Sequence, residues 1–154
     1  MSTRNGGEYI AGLVRELCKL PDEVEWVEFK ENKAEPREIG EYLSALANSA
    51  ALVGKTHGYL VWGVEDATHR IVGTRFVPAK AKVGNEELES WLLRLLSPKL
   101  HFRFLNATVD GRPVVLLEIP RATHSPVQFE GQEFIRVGSY KKKLKDFAEK
   151  ERDL

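Results

Sequence analysis

The segment that begins at Pro36 constrains the fold of this chain more than any other. Proline suits the first position of a helix, because an N–H group there has no partner within the helix. An amphipathic helix buries its apolar stripe against another element. We therefore predict a helix from Pro36 to about Ala50 that packs on a β-sheet. The apolar residues that recur at helical spacing in it are Ile39, Tyr42, Leu43, Leu46, Ala47 and Ala50.

Two segments on either side of this helix are predicted to form the sheet. In Val24–Lys30, Val27 and Phe29 fall on one face of an extended chain and largely polar residues on the other, which is the pattern of a strand. The nearly continuous apolar run at Tyr59–Val64 is typical of a buried strand. We expect both strands to lie in one sheet that the Pro36–Ala50 helix covers.

The other predicted elements give a mixed α+β domain. Because strands follow one another instead of alternating regularly with helices, we predict a mixed, mostly antiparallel sheet with helices packed on it. Asn85 is expected to cap the third helix at its N-terminus. The further predicted elements are helices at 7–19 and 85–96 and strands at 70–73, His101–Val109, Pro113–Ile119 and Phe134–Val137.

Length and composition narrow the class of protein. The 154 residues suit a single domain, 1–154, with a core at about 22–145. The tail from Asp146 is predicted to be helical without a cap, which indicates the N-terminal part of a longer protein. No apolar run reaches the roughly 18 residues of a membrane span, so we expect a cytoplasmic protein with no membrane partner. Cys18 is alone and lies among apolar residues, which predicts a small core residue.

The charges balance overall but are unevenly distributed. The 23 Lys and Arg residues equal the 23 Asp and Glu residues, yet residues 121–145 carry six basic groups and two acidic ones. Within that region, Tyr140 precedes three lysines, and several cations beside one aromatic ring suit phosphate contacts and base stacking. An ordinary solvated lysine run is the alternative.

Three carboxylates lie next to the two predicted strands. Glu23 and Glu28 flank the first strand and Asp66 follows the second. If the strands are neighbours, these oxygens could converge on one hard divalent cation, as metal-dependent phosphodiester cleavage requires. A straight strand would place Glu23 and Glu28 on opposite faces, so a turn after Pro21 is needed. Solvated surface charges are the simpler interpretation.

Four segments follow one another in a defined order: Glu25-Trp-Val-Glu28-Phe-Lys30, Ala45-Leu-Ala47-Asn48, Gly58-Tyr-Leu-Val-Trp-Gly63-Val-Glu-Asp66 with Ile71-Val-Gly73, and Phe134-Ile-Arg136-Val-Gly138-Ser139. In this order they resemble the Schlafen/AlbA-type domain of bacterial transcriptional regulators, over about residues 22–145. The family usually has a short Gly-Gly link after its Ala-Asn helix, where this chain has the longer stretch Ala50–His57. The resemblance implies an α+β fold and nucleic-acid binding.

The leading hypothesis is therefore a nucleic-acid-binding domain, with DNA favoured over RNA, that needs no cofactor. In animal Schlafens the related domain cleaves RNA with two glutamates and an aspartate, and that pattern falls here on Glu23, Glu28 and Asp66. The alternative is thus an endoribonuclease that uses Mg²⁺ or Mn²⁺. A protein-interaction or oligomerisation module, including a homo-oligomer, is the second alternative. The expected phosphate and base contacts are Lys30, Arg121, Arg136, Tyr140, Lys141, Lys142 and Lys143.

Overall fold

The computed structural model describes residues 3–22, 24–138 and 140–154. In these residues the chain forms two main sheets, and none of the helices is long and apolar enough to span a membrane. The helices are α1 (Thr3–Cys18), α2 (Pro36–Leu52), α3 (Leu88–Leu95) and α4 (Ala148–Arg152), with 3₁₀ turns at Pro78–Lys80 and Leu144–Asp146. The strands are β1 (Val27–Lys30), β2 (His57–Trp62), β3 (Lys82–Val83), β4 (Glu86–Glu87), β5 (Leu96–Ser97), β6 (Arg103–Val109), β7 (Arg112–Pro120), β8 (Gln128–Phe129), β9 (Gln132–Val137) and β10 (Tyr140–Lys143).

The first sheet has the strand order β1-β2-β7-β6. Strand β1 pairs in parallel with β2, from Val27 opposite Tyr59 to Lys30 opposite Trp62, and the other two pairings are antiparallel. The prediction that β1 and β2 share one sheet is therefore confirmed. The mixed, mostly antiparallel α+β architecture is also confirmed.

The first sheet is covered by a helix on each face. Leu43 and Leu46 of α2 pack in one core with Leu60 and Trp62 of β2, as expected. Val27 and Phe29 of β1 lie in the other core, with Val14 and Leu17 of α1. Since successive side chains of a strand point to opposite faces, Glu28 lies on the α2 side. This placement buries a carboxylate.

Helix α2 also supports the second sheet, whose strand order is β10-β9-β8-β5. Its polar side chains satisfy the backbone of the β8–β9 hairpin: Asn48 Nδ2 donates to the carbonyls of Val127 and Phe134 at 3.1 and 2.9 Å, and Asn48 Oδ1 accepts from the Val127 N–H at 2.8 Å. Ser44 Oγ donates to the Val127 carbonyl at 2.6 Å and accepts from the Phe134 N–H. The helix thus links both sheets and is buried on most sides.

Two local predictions were wrong. Asn85 does not cap α3, which begins at Leu88, because residues 82–87 form the small β3–β4 ladder and Asn85 follows Gly84 in its turn. The segment 70–73 is not a strand, and only an isolated bridge joins Val64 to Ile71. At Asn85 a local hairpin replaces the expected cap, and the backbone of 72–73 hydrogen-bonds to the Gly63 carbonyl instead of forming a ladder.

Candidate nucleic-acid interface

The predicted lysine run forms β10, an outer strand of the second sheet. It pairs antiparallel with β9, with Lys141 opposite Arg136 and Lys142 opposite Ile135. The Lys141 ammonium lies 2.6 Å from the Glu41 carboxylate and 4.7 Å from the centre of the Tyr42 ring, so it faces α2. Because side chains alternate along a strand, Tyr140 and Lys142 face the opposite way.

The outward side of β10 presents an aromatic ring beside a cation. Tyr140 is 69% exposed, and the Lys142 ammonium lies 5.7 Å from the centre of its ring. Lys143 alternates to the same side of the strand as Lys141, but it is exposed and lines an open groove of about 370 Å³ together with Glu133 and Lys145. Among the residues that the structure describes, no carboxylate forms an ion pair with Lys142 or Lys143. These side chains are therefore free to meet a polyanion.

Lys30 and Lys141 flank Tyr42 on the inner side of this strand. The Lys30 ammonium lies 3.0 Å from Glu38 and 3.7 Å from Glu28, and 5.1 Å from the centre of the Tyr42 ring. Both lysine side chains are only 19% exposed. Their charges are thus neutralised within the protein.

Arg136 is buried at the junction of the two sheets, with 4% of the residue exposed. Its Nη2 lies 2.8 Å from Glu28, and its Nη1 donates to the carbonyls of Val24 and Val27. Its backbone N–H donates to Ser49 of α2. The side chain therefore ties β9 to β1 and is almost fully removed from solvent. Its Nε has no hydrogen-bond partner among the residues that the structure describes.

Burial controls the ionisation of this inner cluster. Desolvation raises the pKa of Glu28 and the charge of Asp66 adds to the rise, although Arg136, Lys30 and Tyr42 oppose it. Burial and the neighbouring Glu28 carboxylate raise the pKa of Tyr42 as well. Tyr42 therefore stays a neutral phenol and donates to Glu28 Oε2 at 3.3 Å.

Two of the three predicted carboxylates are brought close enough to interact. Asp66 is exposed and lines a pocket of about 190 Å³ with Asp22, His69 and Arg136, and its charge acts on Glu28. Glu23 lies outside the described residues. Within the part of the chain that the structure describes, no three His, Cys, Asp or Glu side chains are grouped so that they could hold a metal ion.

Arg121 directly follows the last residue of β7, at one end of the first sheet. Its backbone N–H donates to the Thr56 carbonyl at 3.1 Å, and its side chain is exposed.

The sequence analysis did not select the aromatic residues Trp26 and Tyr59, whose rings are in contact. The signal that could have indicated this pair is the tryptophan just before a strand. Its partner, Tyr59, lies 33 positions further along the chain, so the pair is not visible in the sequence.

The family profile described as Schlafen, AlbA_2 matches residues 23–145. The chain belongs to the Schlafen AlbA_2 family. This AlbA_2 domain also resembles two solved structures, while none of the curated proteins matches it. The DIP2311 protein from Corynebacterium diphtheriae is 19% identical with a TM-score of 0.56, over 92% of this chain and 27% of that one. The N-terminal domain of a protein related to the ATP-dependent DNA helicase RecG, from Nitrosomonas europaea, is 23% identical with a TM-score of 0.53, over 84% of this chain and 89% of that one.

These two likenesses confirm the fold of the AlbA_2 domain. The segments that carry the family resemblance now have structural roles. Asn48 holds the β8–β9 hairpin, while Glu28 and Arg136 form the buried ion pair between β1 and β9. Two of the family motifs thus meet at one junction inside the protein.

Proposed function

We propose that this domain binds nucleic acid through the exposed side chains of β10, with DNA as the leading ligand. The observation that carries the proposal is the exposed Tyr140 with Lys142 against its ring, followed by Lys143 at the end of the strand. Both lysines are exposed and have no carboxylate partner among the described residues. Family membership supports it, and one of the similar structures comes from a protein related to a DNA helicase. A role within a bacterial transcriptional regulator in the cytoplasm is part of the same proposal.

The predicted basic residues fall into two groups, according to whether a carboxylate already neutralises them. Lys142, Lys143 and the exposed Arg121 are proposed to contact phosphates, because cations there can release counterions from the nucleic-acid backbone. Tyr140 offers a ring on which a base can stack. Lys30, Lys141 and Arg136 are proposed to position β10, since carboxylates already neutralise them.

Binding to duplex DNA tests this function. We expect the Lys142→Ala/Lys143→Ala variant to bind a fluorescein-labelled duplex at least several-fold more weakly than the unaltered protein, because two phosphate contacts are lost. The Lys80→Ala/Lys82→Ala variant is the matched control, since both lysines are exposed and have no ion pair within the described residues. Fluorescence anisotropy measures both. Equal weakening in the two variants would contradict a specific role for β10.

A metal-dependent endoribonuclease that uses Glu23, Glu28 and Asp66 is the second candidate. The observation in its favour is that Asp66 lines the same pocket as Arg136, the buried partner of Glu28. The described residues alone do not fit a metal ion, however, because Arg136, Lys30 and Tyr42 already engage the oxygens of Glu28. We therefore derive no catalytic step through Mg²⁺ or Mn²⁺.

A cleavage assay separates the two candidates. We expect structured RNA incubated with the protein and Mn²⁺ to remain as intact as in an EDTA control. Cleavage that needs Mn²⁺ and is lost in the Glu28→Gln variant would instead establish the endoribonuclease. Cleavage that is equal in all three samples would indicate a contaminating nuclease.

A further inference from the structure

We propose that a pocket beside Trp26 binds one unpaired nucleotide, an inference that rests on the proposed nucleic-acid-binding function. The pocket has a volume of about 340 Å³ and lies where the end of α1 meets the starts of β1 and β2. That volume lies within the range of small-ligand sites. Its walls are Leu13, Glu16, Leu17, Leu20, Trp26, Lys55, Thr56, His57 and Tyr59.

The aromatic part of this pocket provides a surface for stacking. The rings of Trp26 and Tyr59 are 6.0 Å apart and inclined by 62°, so they meet edge to face, and the rings of Tyr59 and His57 are 6.2 Å apart. Trp26 is only partly buried. The Lys55 ammonium lies 4.9 Å from the centre of the Trp26 ring, which means that this face of the indole is accessible from the side of Lys55.

Cations lie where the phosphates of a stacked nucleotide would be. Lys55 is exposed and follows Gly54, whose φ of 75° places it in a turn, and no carboxylate of the described residues pairs with Lys55. The hydrogen bond from the Arg121 N–H to the Thr56 carbonyl brings Arg121 next to this loop. A contact between an exposed cation and a ring is weak. A base can therefore replace the Lys55 ammonium over Trp26, and the ammonium can move to the phosphate.

The geometry favours an unpaired nucleotide over a duplex. A base in a duplex has both faces covered by its neighbours, so face-to-face stacking on Trp26 requires a base that has left the stack. The pocket is also linked to β10, because Glu25, adjacent to Trp26, accepts a hydrogen bond from the Gly138 N–H at 3.0 Å.

Titration with ten-nucleotide oligothymidylate and oligouridylate, and with duplex DNA, tests this inference. We expect Trp26→Leu to weaken single-strand binding roughly 5- to 150-fold, the range that loss of one base stack gives, and to leave duplex affinity unchanged. Trp26→Phe keeps a stacking ring but removes the fluorophore, so it should retain affinity and lose the quenching of tryptophan fluorescence. Trp91→Phe is the control, since Trp91 packs on Phe129 of β8. This variant should retain both the single-strand affinity and the quenching of tryptophan fluorescence.

The outcomes distinguish this inference from the proposed function. Single-strand binding with unchanged affinity in Trp26→Leu and unchanged quenching in Trp26→Phe would overturn the pocket and leave the β10 surface standing. Absence of binding to every oligonucleotide would overturn both. Circular dichroism verifies the folding of each variant. If Trp26→Leu does not fold, Lys55→Ala replaces it. Loss of this exposed ammonium should also weaken single-strand binding several-fold. Unchanged affinity in Lys55→Ala would overturn the pocket.

Discussion

Replacement of Arg136 by methionine is expected to lower the free energy of unfolding by about 3–5 kcal/mol at pH 7, the range found when one partner of a buried ion pair is removed. The substitution leaves the Glu28 carboxylate buried without its nearest cation, 2.8 Å away in the native protein. It also removes the hydrogen bonds from the guanidinium to the carbonyls of Val24 and Val27. Urea unfolding measures the change.

The loss of stability in Arg136→Met should be smaller at low pH than at neutral pH. Burial already raises the pKa of Glu28 in the folded protein, and loss of Arg136 raises it further. A carboxyl group with a raised native pKa stabilises the fold fully below its unfolded pKa, and this contribution disappears as the pH rises through the native pKa. Arg136→Met should therefore be less destabilising near pH 4.5 than at pH 7.

An exposed ion pair is the control for this effect. Arg15 pairs with Asp110 at 3.2 Å, and the two side chains are 49% and 61% exposed, so Arg15→Met should lower stability by less than about 1 kcal/mol. An equal loss in Arg136→Met at both pH values would contradict the role assigned to the buried Glu28 charge.

Gly40→Ala is expected to destabilise the protein by about 1–3 kcal/mol, the usual range for an overpacked core. Alanine normally stabilises a helix by roughly 0.5–1 kcal/mol relative to glycine. At Gly40, however, a Cβ atom would overlap the ring of the buried Phe129 in the second sheet. Close contact between α2 and β8 therefore requires glycine at this position.

Gly12→Ala provides a matched control within α1. A Cβ atom at Gly12 meets no atom of the described part of the chain within 4 Å, so this variant should gain up to about 1 kcal/mol. Thermal unfolding followed by circular dichroism compares the two. A Gly40→Ala variant that is as stable as Gly12→Ala would refute the proposed packing of α2 on β8.

Local apolar patterns were sufficient to predict the elements around α2. The stripe from Ile39 to Ala50 has the period of a helix, and the alternation at Val27 and Phe29 has that of a strand. The run after Gly58 was predicted from its short, continuous apolar character. The same periods do not say which helix covers which face. The sequence therefore predicted α2 and its sheet correctly, but not that α1 covers Val27 and Phe29.

The candidate site was predictable as a set of charges but not as an arrangement. Lysine and arginine in one segment indicate a cationic surface, yet Lys141 pairs with Glu41, 100 positions earlier in the chain, and Arg136 pairs with Glu28. Only tertiary packing separates these neutralised cations from Lys142 and Lys143. The same holds for Trp26 and Lys55, whose contact joins two distant turns.

The salt dependence of duplex DNA binding tests the proposed role of β10 most directly. Each phosphate contact contributes about 0.9 to the slope of log affinity against log salt concentration. We expect the slope to fall in magnitude by about 2 in Lys142→Ala/Lys143→Ala. Adding Lys141→Ala should change it little further, since Glu41 already neutralises Lys141. An unchanged slope and affinity in the double variant would show that β10 is an ordinary solvated strand and contradict the proposed function.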